Sequence, residues 1–289
     1  MTREHSVALV LLTAFLWSIG GVLIKSVEWH PMAIAGGRSA FAALTVWVLC
    51  RPLRFTWSRV QVGAALAYCG TVVLFVVATR LGTAANAIFL QFTAPIYVAL
   101  LGAWLLGEKP RALDWLLIVA TQAGIALFFL DRLDFRGVWG NAAGVTSGLC
   151  FGSMVVLLRR QKDASPVESV LLGNVLAALA GVPFMFESAP STTSFLALVV
   201  LGVVQLGLPY VIYSQVLKHV RALDTLLIGM IEPVLNPLWV LLVFGERPQQ
   251  WALVGGAVVV AAATIRGVLT ARERETVRIP PPEGPPASA

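Results

Sequence analysis

Residues 95–110 read PIYVALLGAWLLGEKP, and residues 233–248 read PVLNPLWVLLVFGERP. Each stretch opens on a proline, runs through eleven mostly apolar residues and closes on Gly-Glu, a basic residue and a second proline. They lie 138 residues apart, and at that offset residues 81–125 align without a gap with 219–263. Pro95 then meets Pro233, Gly107 and Glu108 meet Gly245 and Glu246, and Pro110 meets Pro248. Toward the start of each half the offset drops to about 134, where FLWSIGGVLIK ending at Lys25 lies over LCFGSMVVLLR ending at Arg159. Isolated identities between apolar segments follow from composition alone. A charged tetrad set twice at one distance from a mid-segment proline is a stronger sign of an internal repeat.

Composition says where such a repeat resides. The 289 residues are 58% hydrophobic and 12% charged, whereas a soluble domain carries about a quarter charged residues. A mean hydropathy of +0.82 and nine tryptophans point the same way, to a polytopic membrane protein. The net charge of +6 is distributed as short basic clusters between apolar runs. That is the pattern of cytoplasmic membrane loops, not of a nucleic-acid-binding face. Cys50, Cys69 and Cys150 lie far apart in apolar surroundings, without metal-ligand or disulfide-framework spacing, and nothing in the chain calls for a metal or cofactor. The first apolar run, SVALVLLTAFLWSIGGVLI from Ser6, exceeds a signal-peptide core and reads as a spanning helix.

A helix crossing ~30 Å of hydrocarbon needs roughly 20 apolar residues. Ten runs qualify: 6–27, 31–50, 60–80, 83–106, 113–130, 137–158, 167–186, 194–217, 222–244 and 249–266. With the N-terminus in the cytoplasm, fifteen of the 21 Lys and Arg residues fall on that side and five on the other, with Arg38 inside a run. This bias predicts that both termini are cytoplasmic. Five runs per half is an odd number, so the second half must enter the membrane upside-down relative to the first. The expected fold is an all-α polytopic membrane protein, ten transmembrane helices arranged as a five-plus-five inverted-topology repeat. Its halves would be 1–134 and 135–268, and the Pro-rich segment 269–289 is expected to be a disordered cytoplasmic tail. Inverted repeats are the architecture of secondary transporters, whose substrate sits near the bilayer midplane between the halves.

Within the runs, Glu232 in GMIEPVL lies about ten residues, hence roughly 15 Å, into its segment. A carboxyl group at that depth is a candidate for proton coupling or for binding a substrate ammonium group, or else a structural carboxyl bonded to a neighbouring helix. Arg38, in AGGRSAF, could pair with Glu232, bind a substrate carboxylate or snorkel outward. Pro95 and Pro233 fall near mid-segment and should kink their helices, as gates or as static bends. Trp17, Asn86, Thr93, Tyr97, Gln205, Tyr213 and Asn236 could supply the aromatic walls and hydrogen-bonding groups that a neutral amino acid needs. Taken alone, each reads first as ordinary inter-helix packing. Thr83 and Asp224 open their helices as first-turn or capping residues, and Glu108 and Glu246 sit beside helix-ending glycines as turn residues.

The run RLGTAANAIFLQFTAPIYVALLGAWLLGEKP (80–110), its second copy ending GERP, and the early FLWSIGG resemble the drug/metabolite transporter superfamily, in its ten-helix EamA-type branch. The resemblance covers about residues 6–268. It implies a five-plus-five inverted repeat around a central cavity in a bacterial-type inner membrane, moving small metabolites, often outward. Within that branch the chain looks most like bacterial exporters of aromatic and other neutral amino acids, with protons as a candidate coupling ion. A different metabolite or an amphipathic drug is the alternative cargo.

Enzyme chemistry finds no foothold in the sequence. Asp131 and Asp134 lie in a loop and Asp224 near a helix end, His5, His30 and His219 sit at run boundaries, and no Walker A lysine loop appears. A passive channel, the other non-enzymatic reading, normally displays rings of selectivity groups, which this sequence does not. The inverted repeat makes a direct expectation. A cysteine introduced at position 109 should react with a membrane-impermeant maleimide only from the cytoplasm, and one at position 247 only from outside. Reaction of both from the same side would rule the inverted arrangement out.

Overall fold

The computed structural model describes residues 1–82, 84–130, 137–164, 166–187, 189–235, 239, 242 and 250–272, and their regular structure is helical throughout. In chain order the helices are α1 (Arg3–Ser18), α2 (Gly20–Lys25), α3 (Pro31–Leu49), α4 (Arg59–Leu81), α5 (Ala84–Gln91), α6 (Ala94–Leu105) and α7 (Ala112–Phe128). They continue with α8 (Val138–Arg160), α9 (Val167–Met185), α10 (Thr192–Val200), a π-helical segment (Leu201–Gly207), α11 (Leu208–Val216), α12 (Ala222–Gly229) and α13 (Gln250–Arg272). Among the described residues seven helical stretches are long and apolar enough to cross a membrane, and Ala112–Phe128 is a shorter apolar helix. Three of the ten expected runs account for the difference. The run 6–27 is divided at Ile19 into α1 and α2, and the run 222–244 is interrupted at Met230 and Ile231 and falls partly outside the described residues. The tail from 273 onward also lies outside them, while α13 carries the last run on to Arg272.

Proline explains two of the interruptions. It lacks an N–H and clashes with the carbonyl four residues back, but both defects are harmless in the first turn of a helix. At Pro95 the chain does not bend within a continuous helix. It stops at Gln91, and α6 restarts at Ala94, with the Thr93 hydroxyl donating to the Leu90 carbonyl at 2.5 Å. At Pro233 it stops at Gly229 and turns helical again at Glu232, with the Val234 and Leu235 amides donating to the Ile231 carbonyl at 3.1 Å. Pro209 adds a third case, since its missing donor would leave the 205 carbonyl unpaired in an α-helix. The chain answers with π geometry, the Leu208 N–H reaching back to the Val203 carbonyl.

Hydrocarbon gives helices no hydrophobic reason to associate, so they hold by close packing at small residues. Gly140, Gly144, Gly148 and Gly152 form a ladder at four-residue spacing along one face of α8, and α5 and α6 lie against it. A Cβ added at Gly148 would stand 2.7 Å from the Leu90 carbonyl oxygen, and one at Gly152 3.0 Å from that of Ala94. The ladder thus carries the broken segment at its break. Two further crossings are glycine on glycine: Gly36 of α3 on Gly181 of α9, and Gly124 of α7 on Gly255 of α13. One end of the bundle is tied by hydrogen bonds that Glu108 accepts from Arg159 and the Ala222 amide and Glu168 from the Arg54 amide, and the other by the Asn86–Asn141 bond and the contact of Gly82 with Gly140.

Gly148→Val should force backbone apart and lower stability by about 1–3 kcal/mol, visible as a fall in the thermal melting temperature in detergent. Gly229→Ala, where an added Cβ meets nothing within 4 Å, should leave the melt unchanged or raise it.

Candidate functional site

The centre of the bundle is a box of aromatic rings. Trp17, at the end of α1, lies with its ring centroid 5.0 Å from Tyr210 and 5.2 Å from Tyr213, both on α11, and 6.5 Å from Phe151 on α8. Tyr68 of α4 meets Tyr210 edge-on at 4.8 Å. The hydroxyls are fixed from the neighbouring helices: Tyr68 donates to Asn174 Oδ1 of α9 at 3.0 Å, and Tyr213 shares a 2.9 Å bond with Thr225 of α12. Two of the rings are thus oriented by hydrogen bonds to elements other than their own.

Both proline-associated interruptions open onto this box. Trp17, Phe151, Pro95, Thr225 and Glu232 line a single pocket, with the restart of α6 on one wall and the restart after Ile231 on the other. Its volume is ≈ 10 Å³, room for about one water, so the site is closed in this conformation. Arg38 of α3 lies on the Tyr68–Tyr210 side, within electrostatic reach of both rings, and Glu232 is within reach of Tyr210. Arg38 is buried, with no hydrogen-bond partner for its Nε, and does not extend to the surface. No ion pair joins Arg38 or Glu232 to any group among the described residues. Trp17 Nε1 and Gln205 Oε1 are also buried without partners, while Gln205 Nε2 donates to the Trp17 carbonyl at 3.2 Å, where α1 ends. A cation, a carboxylate and two neutral hydrogen-bonding atoms are therefore unspent around one set of rings.

The other residues read from the sequence lie elsewhere. Asn86 donates to Asn141 at 2.9 Å, linking α5 to α8 at one end of the bundle. Thr93 caps the break before α6, and Tyr97 packs its Cβ over Gly152. Asn236 lies outside the described residues, as do Thr83 and Glu246.

A second charged assembly closes the end opposite the Asn86–Asn141 bond. Arg266 of α13, 1% exposed, donates to Asp114 at 2.7 Å through Nη1 and to Asp224 through Nη2, and both carboxylates are fully buried. Arg221 approaches Asp114 at 3.4 Å and donates to the Lys109 carbonyl. Beside them Glu108 accepts from Arg159 at 2.9 Å and from the Ala222 amide at 3.1 Å, and Arg159 also donates to the Leu217 carbonyl. The loop after α6 is thereby tied to α8 and α12. Asp224 and Glu108, which read as capping and turn residues, hold these connections as well. The sequence did carry a signal for the cluster: RALDWLLI at 111–118 and RALDTLLI at 221–228 are near-identical. Each opens a helix, and the two aspartates converge on Arg266. The pair stands out of register with the 138-residue repeat, which hides it from that alignment. Tyr68, Tyr210 and Asn174 gave no comparable signal, because an isolated polar residue in an apolar run does not reveal which helix it meets.

The profile of the EamA-like transporter family matches this chain in two segments, residues 5–130 and 138–266. Two proteins of Archaeoglobus fulgidus, each described as an "Uncharacterized transporter", are similar along nearly their whole length. The first is 27% identical over 263 residues, covering 91% of this chain and 96% of its own, and the second 23% identical over 278 residues, covering 88% and 94%. A solved structure described as "Crystal structure of protein" superposes with a TM-score of 0.81 at 20% identity, over 94% of this chain and 100% of the other.

Removing one partner from a buried ion pair leaves an uncompensated charge and costs about 3–5 kcal/mol. Arg266→Gln removes the cation shared by two buried aspartates and should lower the melting temperature sharply. Arg221→Gln, at a partly exposed position, should cost much less; equal losses would show that Arg266 does not anchor the cluster.

Proposed function

We propose that this chain, which belongs to the EamA-like transporter family, carries aromatic or other neutral amino acids outward across an inner membrane by alternating access. Membership makes it a multi-pass membrane transporter acting on a small molecule in a lipid bilayer. The observation that carries the reading of cargo is the aromatic box flanked by Arg38 and Glu232. A zwitterionic amino acid presents a carboxylate, an ammonium group and a side chain. Arg38 matches the first, Glu232 the second, and the rings of Trp17, Phe151, Tyr210 and Tyr213 offer stacking surfaces to the third. Two buried charges without a protein partner are costly in a membrane, and a ligand that neutralises both offsets that cost. Of the other residues singled out in the sequence, Asn86, Thr93 and Tyr97 serve the helix contacts around the site, and Asn236, four residues after Glu232 in the sequence, is kept as a candidate.

Ten crossings in two inverted halves supply the cycle. The family profile matches two segments of nearly equal length, which supports a repeat. The helix contacts support it too, because most of the largest come in pairs exchanged when the halves are swapped. α4 against α8 answers α11 and the π segment against α1, α3 against the π segment answers α9 against α4, and α8 on α5 and α6 answers α1 on α12. The pairs α3–α9 and α7–α13 map onto themselves. A drug-sized ligand needs a pocket of roughly 300–1,000 Å³, so the halves must part on one side to admit it. At the end read as cytoplasmic, parting breaks the Arg266 cluster. At the other it separates α5 from the glycine ladder of α8. The helix restarts at Pro95 and Pro233 are the gates, because each leaves a short helical piece free to tilt without unwinding a full span.

Outward movement can be driven by protons if Glu232 releases the ammonium group on taking up a proton from outside. In inside-out vesicles an acidic lumen should then accelerate uptake of labelled aromatic amino acid. Glu232→Gln should abolish that acceleration and reduce counterflow at least about tenfold, equivalent to ~1.4 kcal/mol, with the melting temperature retained. Undiminished pH-driven uptake by the variant would remove Glu232 from coupling. Ion conductance indifferent to substrate, without counterflow, would make the protein a channel.

A further inference from the structure

The connection between α3 and α4 is organised in a way that the transport cycle does not use. Helices of 19 and 23 residues flank it, each long enough to reach across the hydrocarbon, so residues 50–58 lie at the membrane boundary. Their backbone is pinned. Glu168, itself buried, accepts from the Arg54 amide at 2.9 Å, Gln61 accepts from the Thr56 and Trp57 amides at 3.1 and 2.9 Å, and Ser58 caps α4. Trp57 has a φ of 52°, a conformation that bulky residues avoid and that is retained where surrounding contacts impose it. Trp57 on this fixed backbone is 67% exposed, and Trp47, in the last turn of α3, is 46% exposed.

Beside them is an open cleft of ≈ 580 Å³ lined by Trp47, Arg51, Pro52, Leu53 and Phe55. The Arg51 guanidinium carbon lies 3.2 Å from the centroid of the Trp47 ring. A guanidinium stacked on an aromatic face keeps its in-plane N–H groups available for an anion such as a phosphate. Arg54 and Arg59 are exposed within the same short stretch, residues 44–59 contain no acidic residue, and among the described residues no carboxylate pairs with these three arginines. Below the cleft, Leu44 and Val48 of α3 are 52% and 57% exposed. A charged head and two apolar tails fit this layout, and a soluble anion would use only half of it.

We propose that this cleft is a binding site for one anionic phospholipid. The phosphate is held by Arg51 in the field of Arg54 and Arg59, the glycerol region rests on Trp47 and Phe55, and the acyl chains run along the exposed face of α3. The partner is the lipid and not free phosphate, because the apolar face continues from the basic cleft.

The test uses the full-length protein, delipidated and returned to nanodiscs of phosphatidylcholine with or without phosphatidylglycerol. Wild type should melt several degrees higher with phosphatidylglycerol, and native mass spectrometry should find one phosphatidylglycerol retained. Arg51→Gln combined with Arg54→Gln should lose both effects while melting normally in phosphatidylcholine, whereas Arg160→Gln, exposed at the same end, should keep them. Should the double variant not assemble, Trp47→Leu must show the same loss. Retention of the preference by these variants, its absence from wild type, or an equal shift from glycerol 3-phosphate added to phosphatidylcholine discs would each overturn the proposal.

Discussion

Close approach at glycine is the constraint on which the rest of this bundle depends. Between helices in lipid, attraction comes from contact alone, and contact is best where no side chain intervenes. The α8 ladder brings α5 and α6 so near that Leu90 and Gln91 present their carbonyls to its surface. A segment broken at mid-membrane exposes backbone groups that hydrocarbon cannot satisfy. Packing that break against a glycine face, with Thr93 bonded back to Leu90, keeps lipid away from it. The ladder makes the interruption tolerable, and the interruption opens the wall of the aromatic box.

The two ends of the bundle are closed by different chemistry. One holds three carboxylates and three arginines, Glu108, Asp114 and Asp224 with Arg159, Arg221 and Arg266, mutually neutralised and largely buried. The other joins Asn86 to Asn141 through a neutral bond. At a sequence offset of 138 Asn86 aligns with Asp224, and these two aligned positions, each in the first turn of its helix, serve an uncharged closure and a charged one. Buried ion pairs depend on geometry far more than neutral amides do. An end closed by ions holds firmly in one arrangement and loses most of its attraction once that arrangement is disturbed.

The sequence revealed what is local and periodic. Runs of apolar residues placed the helices to within a few positions, as with 31–50 for α3 and 167–186 for α9. Prolines 95 and 233 marked the interruptions, although the chain stops and restarts there instead of bending, because a proline in a first turn costs nothing. Pairings across the fold were far less legible. Arg266 counted only as one more basic residue near a helix end, yet its partners lie 152 and 42 residues away. Glu232 was recognisable as misplaced among apolar neighbours, whereas Tyr68 and Tyr210 look ordinary until α4 and α11 are brought together. Arg38 illustrates the limit: its depth was legible, but whether it turned outward or stayed buried depended on α4, α9 and the π segment around it.

The segment 201–207 has a geometric effect on everything after it. A π turn holds more residues than an α turn, so the helix beyond it is rotated by about 100° for each surplus residue. Before it, Phe195, Leu196 and Val200 look into the lipid; after it, Tyr210 and Tyr213 look into the box. The segment acts as a phase shifter within a single rod. One residue gained or lost there would re-aim every ring downstream at once, while leaving the hydropathy profile of the chain nearly untouched.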